Sequence, residues 1–172
     1  MSHIHDVAVT LRDFCVKHSE YPVCAGATDA EIEEIKAEFA WLECPLPNGL
    51  LEVYRVTLGI VGIGNSRPIL NGPIGTSDPG MGFIDFLSSQ EYLFRRDGIL
   101  WLGHGDGGSL HMDRDGVCGV DDVDIFRAYP ERSVRMTFED AFETFAKTTM
   151  AEIEILLANG DIELPEEPGM MR

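Results

Sequence analysis

The sequence is short of positive charge. It has 13 Lys and Arg against 30 Asp and Glu in 172 residues, a formal charge of -17. That deficit leaves no basic face to neutralise phosphates, so nucleic acid is not an expected partner. An anionic membrane surface is disfavoured for the same reason. Long apolar runs are missing as well, and no window reaches the ~18 apolar residues of a membrane span. The opening Met1-Ser2-His3-Ile4-His5-Asp6 lacks the basic and apolar regions of a signal peptide. Cysteine is sparse and unpatterned: Cys15, Cys24, Cys44 and Cys118 form no CxxC pair. Reduced thiols and a cytoplasmic location are therefore expected. There is no internal repeat, no Walker A sequence and no GxSxG elbow.

What remains is an ordinary globular composition, 44% hydrophobic and 25% charged. Apolar spacing predicts a helix over residues 4–18 through Val7, Leu11, Phe14 and Cys15. A second helix begins at Thr28, with Glu31 in capping-box position and Ile32, Ile35 and Phe39 on one face. After Pro45-Leu46-Pro47, Asn48 is placed to cap a third helix with Leu50, Leu51, Tyr54 and Leu58 inward. Ile60-Val61-Gly62-Ile63 reads as a strand, residues 65–80 as a long loop, and residues 83–95 as either helix or strand.

Ile99-Leu100-Trp101-Leu102 reads as a buried strand. Residues 109–112 and 117–120 flank Asp115-Gly116 as a hairpin, and Val123, Ile125 and Phe126 suggest one more strand. Thr137 caps a closing helix with Phe138, Ala141, Phe142 and Phe145 inward, stopped by Asn159-Gly160. The expected architecture is α+β: a central antiparallel sheet packed against N-terminal helices and a C-terminal helix. It forms one domain over residues 1–160, followed by an acidic, flexible tail over residues 161–172.

Three motifs invite chemistry. Gly59-Ile60-Val61-Gly62-Ile63-Gly64 has the order GxxGxG rather than GxGxxG, and no predicted helix follows it to receive a pyrophosphate. The stretch from His104 to Asp124 is rich in His and Asp. Read as a calcium loop from His111, it begins on a poor calcium donor, so no metal or other cofactor is expected. His104, Asp106 and His111 could instead serve a small hydrolase, metal-dependent or His-based, with Asp106 orienting an imidazole. The plainer reading is a polar hairpin with no catalytic residue. Negative charge gathers at residues 29–43, 97–124 and 137–172, a distribution suited to steering a basic partner.

The order of three blocks resembles the SUKH superfamily, the Smi/Knr-type domain. They are Thr28-Asp29-Ala30-Glu31-Ile32-Glu33-Glu34-Ile35 leading to Leu46-Pro47-Asn48-Gly49-Leu50-Leu51-Glu52-Val53-Tyr54-Arg55; then Ile99-Leu100-Trp101-Leu102-Gly103-His104-Gly105 with Leu110-His111-Met112-Asp113-Arg114-Asp115-Gly116; and Thr137-Phe138-Glu139-Asp140-Ala141-Phe142. The resemblance covers residues 25–150. It implies an α+β domain without catalytic residues or cofactors. It also implies an immunity protein that binds and neutralises a cognate toxin domain, often a basic nuclease. The hairpin acids Asp106, Asp113, Asp115, Asp121, Asp122 and Asp124 are the expected contacts. A regulatory scaffold without a toxin partner is the other role the family offers.

Overall fold

The computed structural model describes residues 2–18, 23–60, 70, 86–104, 109–121, 126, 128, 131–160 and 170–171. Among the described residues the helices are α1 (His3–His18), α2 (Asp29–Trp41), α3 (Asn48–Val56), α4 (Phe86–Asp97) and α5 (Phe138–Asn159). The strands are β1 (Val23–Cys24), β2 (Ile99–Trp101), β3 (His111–Asp113), β4 (Cys118–Gly119) and β5 (Met170–Met171). No described helix is long and apolar enough to cross a membrane.

The helices start and stop for local reasons. Thr28 and Glu31 complete the capping box of α2, each side chain accepting from the other residue's backbone N–H. Thr137 accepts from Asp140 N–H at the start of α5, and Gly160 ends that helix in the left-handed region at φ 74. The third helix departs from expectation. Asn48 is its first residue, Pro47 takes the cap position, and no side chain caps it. Proline suits the entry because its fixed φ places the chain without needing the N–H it lacks. The helix also ends at Val56, before Leu58, whose side chain is buried beyond the last turn. Residues 86–97, ambiguous by pattern, are helical.

Helices α1, α3 and α5 pack against one another, and α2 packs on α3. Ile4, Ala8, Leu11 and Cys15 are the buried stripe of α1, while Val7 and Phe14 lie at its margin. Tyr54 is fully buried among the largest core side chains, with Phe39, Phe142, Leu11, Ile32, Ile35 and Leu50.

Strands β2, β3 and β4 form an antiparallel sheet in sequence order. Residues directly opposite in such a sheet share a face. Leu100, Met112 and Cys118 are in register and turn into the helical core. The other face carries Ile99 and Asp113, then Trp101, His111 and Gly119. Single bridges continue from Gly103 to Leu70, to Ile60 and to Val23, and β1 pairs with β5 in parallel. Ile60 makes antiparallel bridges to Val23 and Leu70, and the rest of the expected strand, Val61-Gly62-Ile63, lies outside the described residues. Met170–Met171, placed by sequence in a flexible tail, sits in register on Val23–Cys24. An open strand edge accepts backbone pairing whatever the composition of the segment that reaches it. Phe126 has helical backbone, not the expected strand, and Val123 and Ile125 lie outside the described residues.

Candidate functional site

The hairpin is where sequence concentrated the candidate acids. Its turn runs through Arg114, Asp115 and Gly116. Asp113 N–H donates to the Val117 carbonyl at 2.9 Å, and Gly116 N–H donates to the Asp113 carbonyl at 3.0 Å. Gly116 alone in the turn has positive φ, 79. This is a three-residue connection with glycine in the left-handed position, not a two-residue turn.

The six acids do not act as one patch. Asp113 is turned inward: one carboxylate oxygen accepts from Asp115 N–H at 2.9 Å and Val117 N–H at 3.0 Å. Its other oxygen pairs with Arg135. Its carboxylate is committed to closing the turn and tying it to the segment before α5. Asp115 stands exposed at the tip. Asp121 is half-buried, and its Oδ1 lies 3.7 Å from Nε2 of His111. Asp106, Asp122 and Asp124 lie outside the described residues. Asp115 is therefore the one candidate acid, among the described residues, that is fully presented to solvent.

His104 and His111 also have separate environments. The His104 ring leans on Trp101, with centroids 5.0 Å apart. His111 has 0% exposure. Its Nδ1 is 2.7 Å from the Ser109 carbonyl, and because a carbonyl only accepts, Nδ1 carries the proton. Phe126 meets the His111 ring edge-on at 4.3 Å. A Cβ on Gly119 would come within 2.6 Å of His111 Nε2 and 2.8 Å of Phe126. Glycine at 119 leaves the space that this edge-on ring pair occupies over the sheet. A general base must reach the proton it removes, and this packing encloses the His111 imidazole. Among the described residues, no three His, Cys, Asp or Glu side chains converge as metal ligands.

Nor do the cysteines supply a nucleophile. All four are buried and free. Burial pushes the thiols of Cys15, Cys44 and Cys118 up to about 12 and that of Cys24 up to about 11. At neutral pH they are held as thiols, whereas the thiolate is the reactive form.

Beside the hairpin, on the outer sheet face, lies an open cleft of about 420 Å³. Ile99 and Phe126 give it apolar surface, and Arg96, Arg114 and Arg135 line it together with Asp97, Asp113 and Asp115. Its charges are largely paired internally: Arg96 binds Asp97, Arg135 binds Asp113, and Arg114 donates to the carbonyls of Phe94 and Arg95 at the end of α4.

Sequence reasoning missed the exposed aromatics. Trp41 is 54% and Tyr92 69% exposed. The Arg95 guanidinium stands 5.0 Å from the Trp41 ring centre, and that of Arg96 5.3 Å from Tyr92. A signal was present for Trp41: it lies nine positions after Ile32, roughly 180° around the helix from the buried stripe. Comparison with protein-family models, curated proteins and solved structures finds no match to this chain.

Proposed function

We propose that this chain is a cytoplasmic protein-binding module of the SUKH type, an immunity protein that neutralises a basic, nuclease-like toxin domain by direct binding. The observation that supports this reading is the outward placement of its acids. Asp29, Glu33 and Glu34 on α2 and Glu139, Asp140 and Glu154 on α5 face solvent, against one lysine on each helix, Lys36 and Lys147. Asp115 adds an exposed carboxylate at the hairpin tip. Such a field accelerates encounter with a basic partner at low salt. No catalytic role is assigned to His104 or His111, and no cofactor is invoked.

The experiment is capture on the tagged protein from its own host, identification of what binds, and reconstitution with the purified partner. The reading expects a basic protein at 1:1 stoichiometry whose association slows with salt. Charge reversal at Asp115 and Glu34 together slows association and flattens the salt dependence. A purified partner that is acidic, or whose association is indifferent to salt, would remove the toxin reading. A set of unrelated partners would favour the regulatory scaffold instead.

A further inference from the structure

The outer face of α4 differs from the other exposed helical surfaces. Glu91, Tyr92, Arg95 and Arg96 occupy adjoining positions over roughly 140° of the helix circumference. Tyr92, Arg95 and Arg96 are exposed and Glu91 is half-buried, while Phe94 turns to the core. Two charges of each sign balance along this ridge if Asp97 is counted, in a chain whose total is -17. Arg95 pairs with Glu91 one turn back, and Arg96 pairs with Asp97. Trp41, under the Arg95 guanidinium, extends the surface with a second exposed aromatic. Tyr, Trp and Arg are the side chains that supply most binding energy at protein interfaces.

We infer that this α4 ridge, with Trp41 beside it, is a self-association surface whose occupant is a second copy of the same chain. Charge decides between occupants. A basic partner finds stronger attraction on the acidic faces of α2 and α5. A strongly acidic partner is repelled by the whole molecule. A balanced ridge is matched by an equally balanced one, and a second copy brings it by construction.

The sequence order makes the ridge self-complementary. A two-fold axis crossing α4 between positions 93 and 94 runs the two helices antiparallel. It sets Glu91 opposite the partner's Arg96 and Tyr92 opposite the partner's Arg95. Each arginine then meets a carboxylate or an aromatic face, both favourable for guanidinium. Each contact occurs twice, as isologous symmetry requires. This inference rests on α4 and is independent of the toxin reading.

Sedimentation velocity on the full chain tests it, at concentrations up to about 500 µM and moderate salt, where the long-range repulsion between acidic bodies is screened. The expected result is a concentration-dependent dimer. Tyr92→Ala with Trp41→Ala returns it to monomer. Because both side chains are exposed, circular dichroism should show an intact fold. Arg96→Glu weakens the dimer by about tenfold or more by facing the partner's Glu91 with a like charge. Combining Arg96→Glu with Glu91→Arg restores it, which a merely structural role for either residue would not do. A wild-type monomer throughout, a dimer indifferent to Tyr92→Ala and Trp41→Ala, or failure of the folded double swap to recover each overturns the inference.

Discussion

Raising the pH above 9 should destabilise this protein, because four thiols are buried in the core. Each is held above its ordinary value of 9.0: Cys15, Cys44 and Cys118 at about 12, Cys24 at about 11, and desolvation is the first cause in every case. A thiol whose value is raised on folding keeps its proton in the native state and loses it in the unfolded one. Its contribution is complete below pH 9 and is lost progressively between pH 9 and 11–12. At pH 10 an unfolded cysteine is about nine-tenths ionised, and each buried thiol then costs on the order of 1 kcal/mol of stability. Four together remove several kcal/mol, comparable with the whole stability of many domains. Urea unfolding from pH 7 to 10.5 measures this directly. Thiolate absorbance near 240 nm should stay flat in the native protein and rise only with unfolding. A native-state rise centred near pH 9, with the helical signal unchanged, would refute the argument from burial.

Other expectations are local. Thr28→Ala removes the acceptor for Glu31 N–H and one side of the capping box, and should cost about 1 kcal/mol in urea unfolding. Gly119→Ala drives a methyl against His111 and Phe126 and should cost about 1–3 kcal/mol, partly recovered by adding Phe126→Leu. Equal stability of Gly119→Ala and wild type would show that the ring pair is loosely held. Asp113→Ala strands two backbone N–H groups and Arg135, and should cost about 2 kcal/mol with loss of amide-exchange protection at Asp115 and Val117. Asp115→Ala, at the exposed tip, should stay within about 0.5 kcal/mol, and equal costs for the two aspartates would contradict their assigned places.

Where an element's boundary is set by side chains close in sequence, it was legible. Thr28 with Glu31, Thr137 with Asp140, and Gly160 each act within one turn, and each behaves as its residue type dictates. Periodicity likewise placed Ile32, Ile35 and Phe39 and the α+β order. Long-range pairing was not legible, because Val23–Cys24 and Met170–Met171 are joined by backbone groups common to all residues. The hairpin was foreseen but the roles of its acids were not. Asp113 and Asp115 are two residues apart and identical in chemistry, yet one faces the sheet and the Arg135 guanidinium, while the other faces water. Only register separates them.

The packing of α1 against α5 and the pairing of β1 with β5 bear on how the chain is made. Residues at the start of the chain complete their environment with residues more than a hundred positions later. During synthesis, the apolar stripe of Ile4, Ala8, Leu11 and Cys15 therefore emerges well before Phe138–Asn159 exists to cover it. Helix α3 offers a provisional partner, and final closure waits on α5. A nascent chain stalled before residue 138 leaves that stripe open to chaperones or to its neighbours on a polysome.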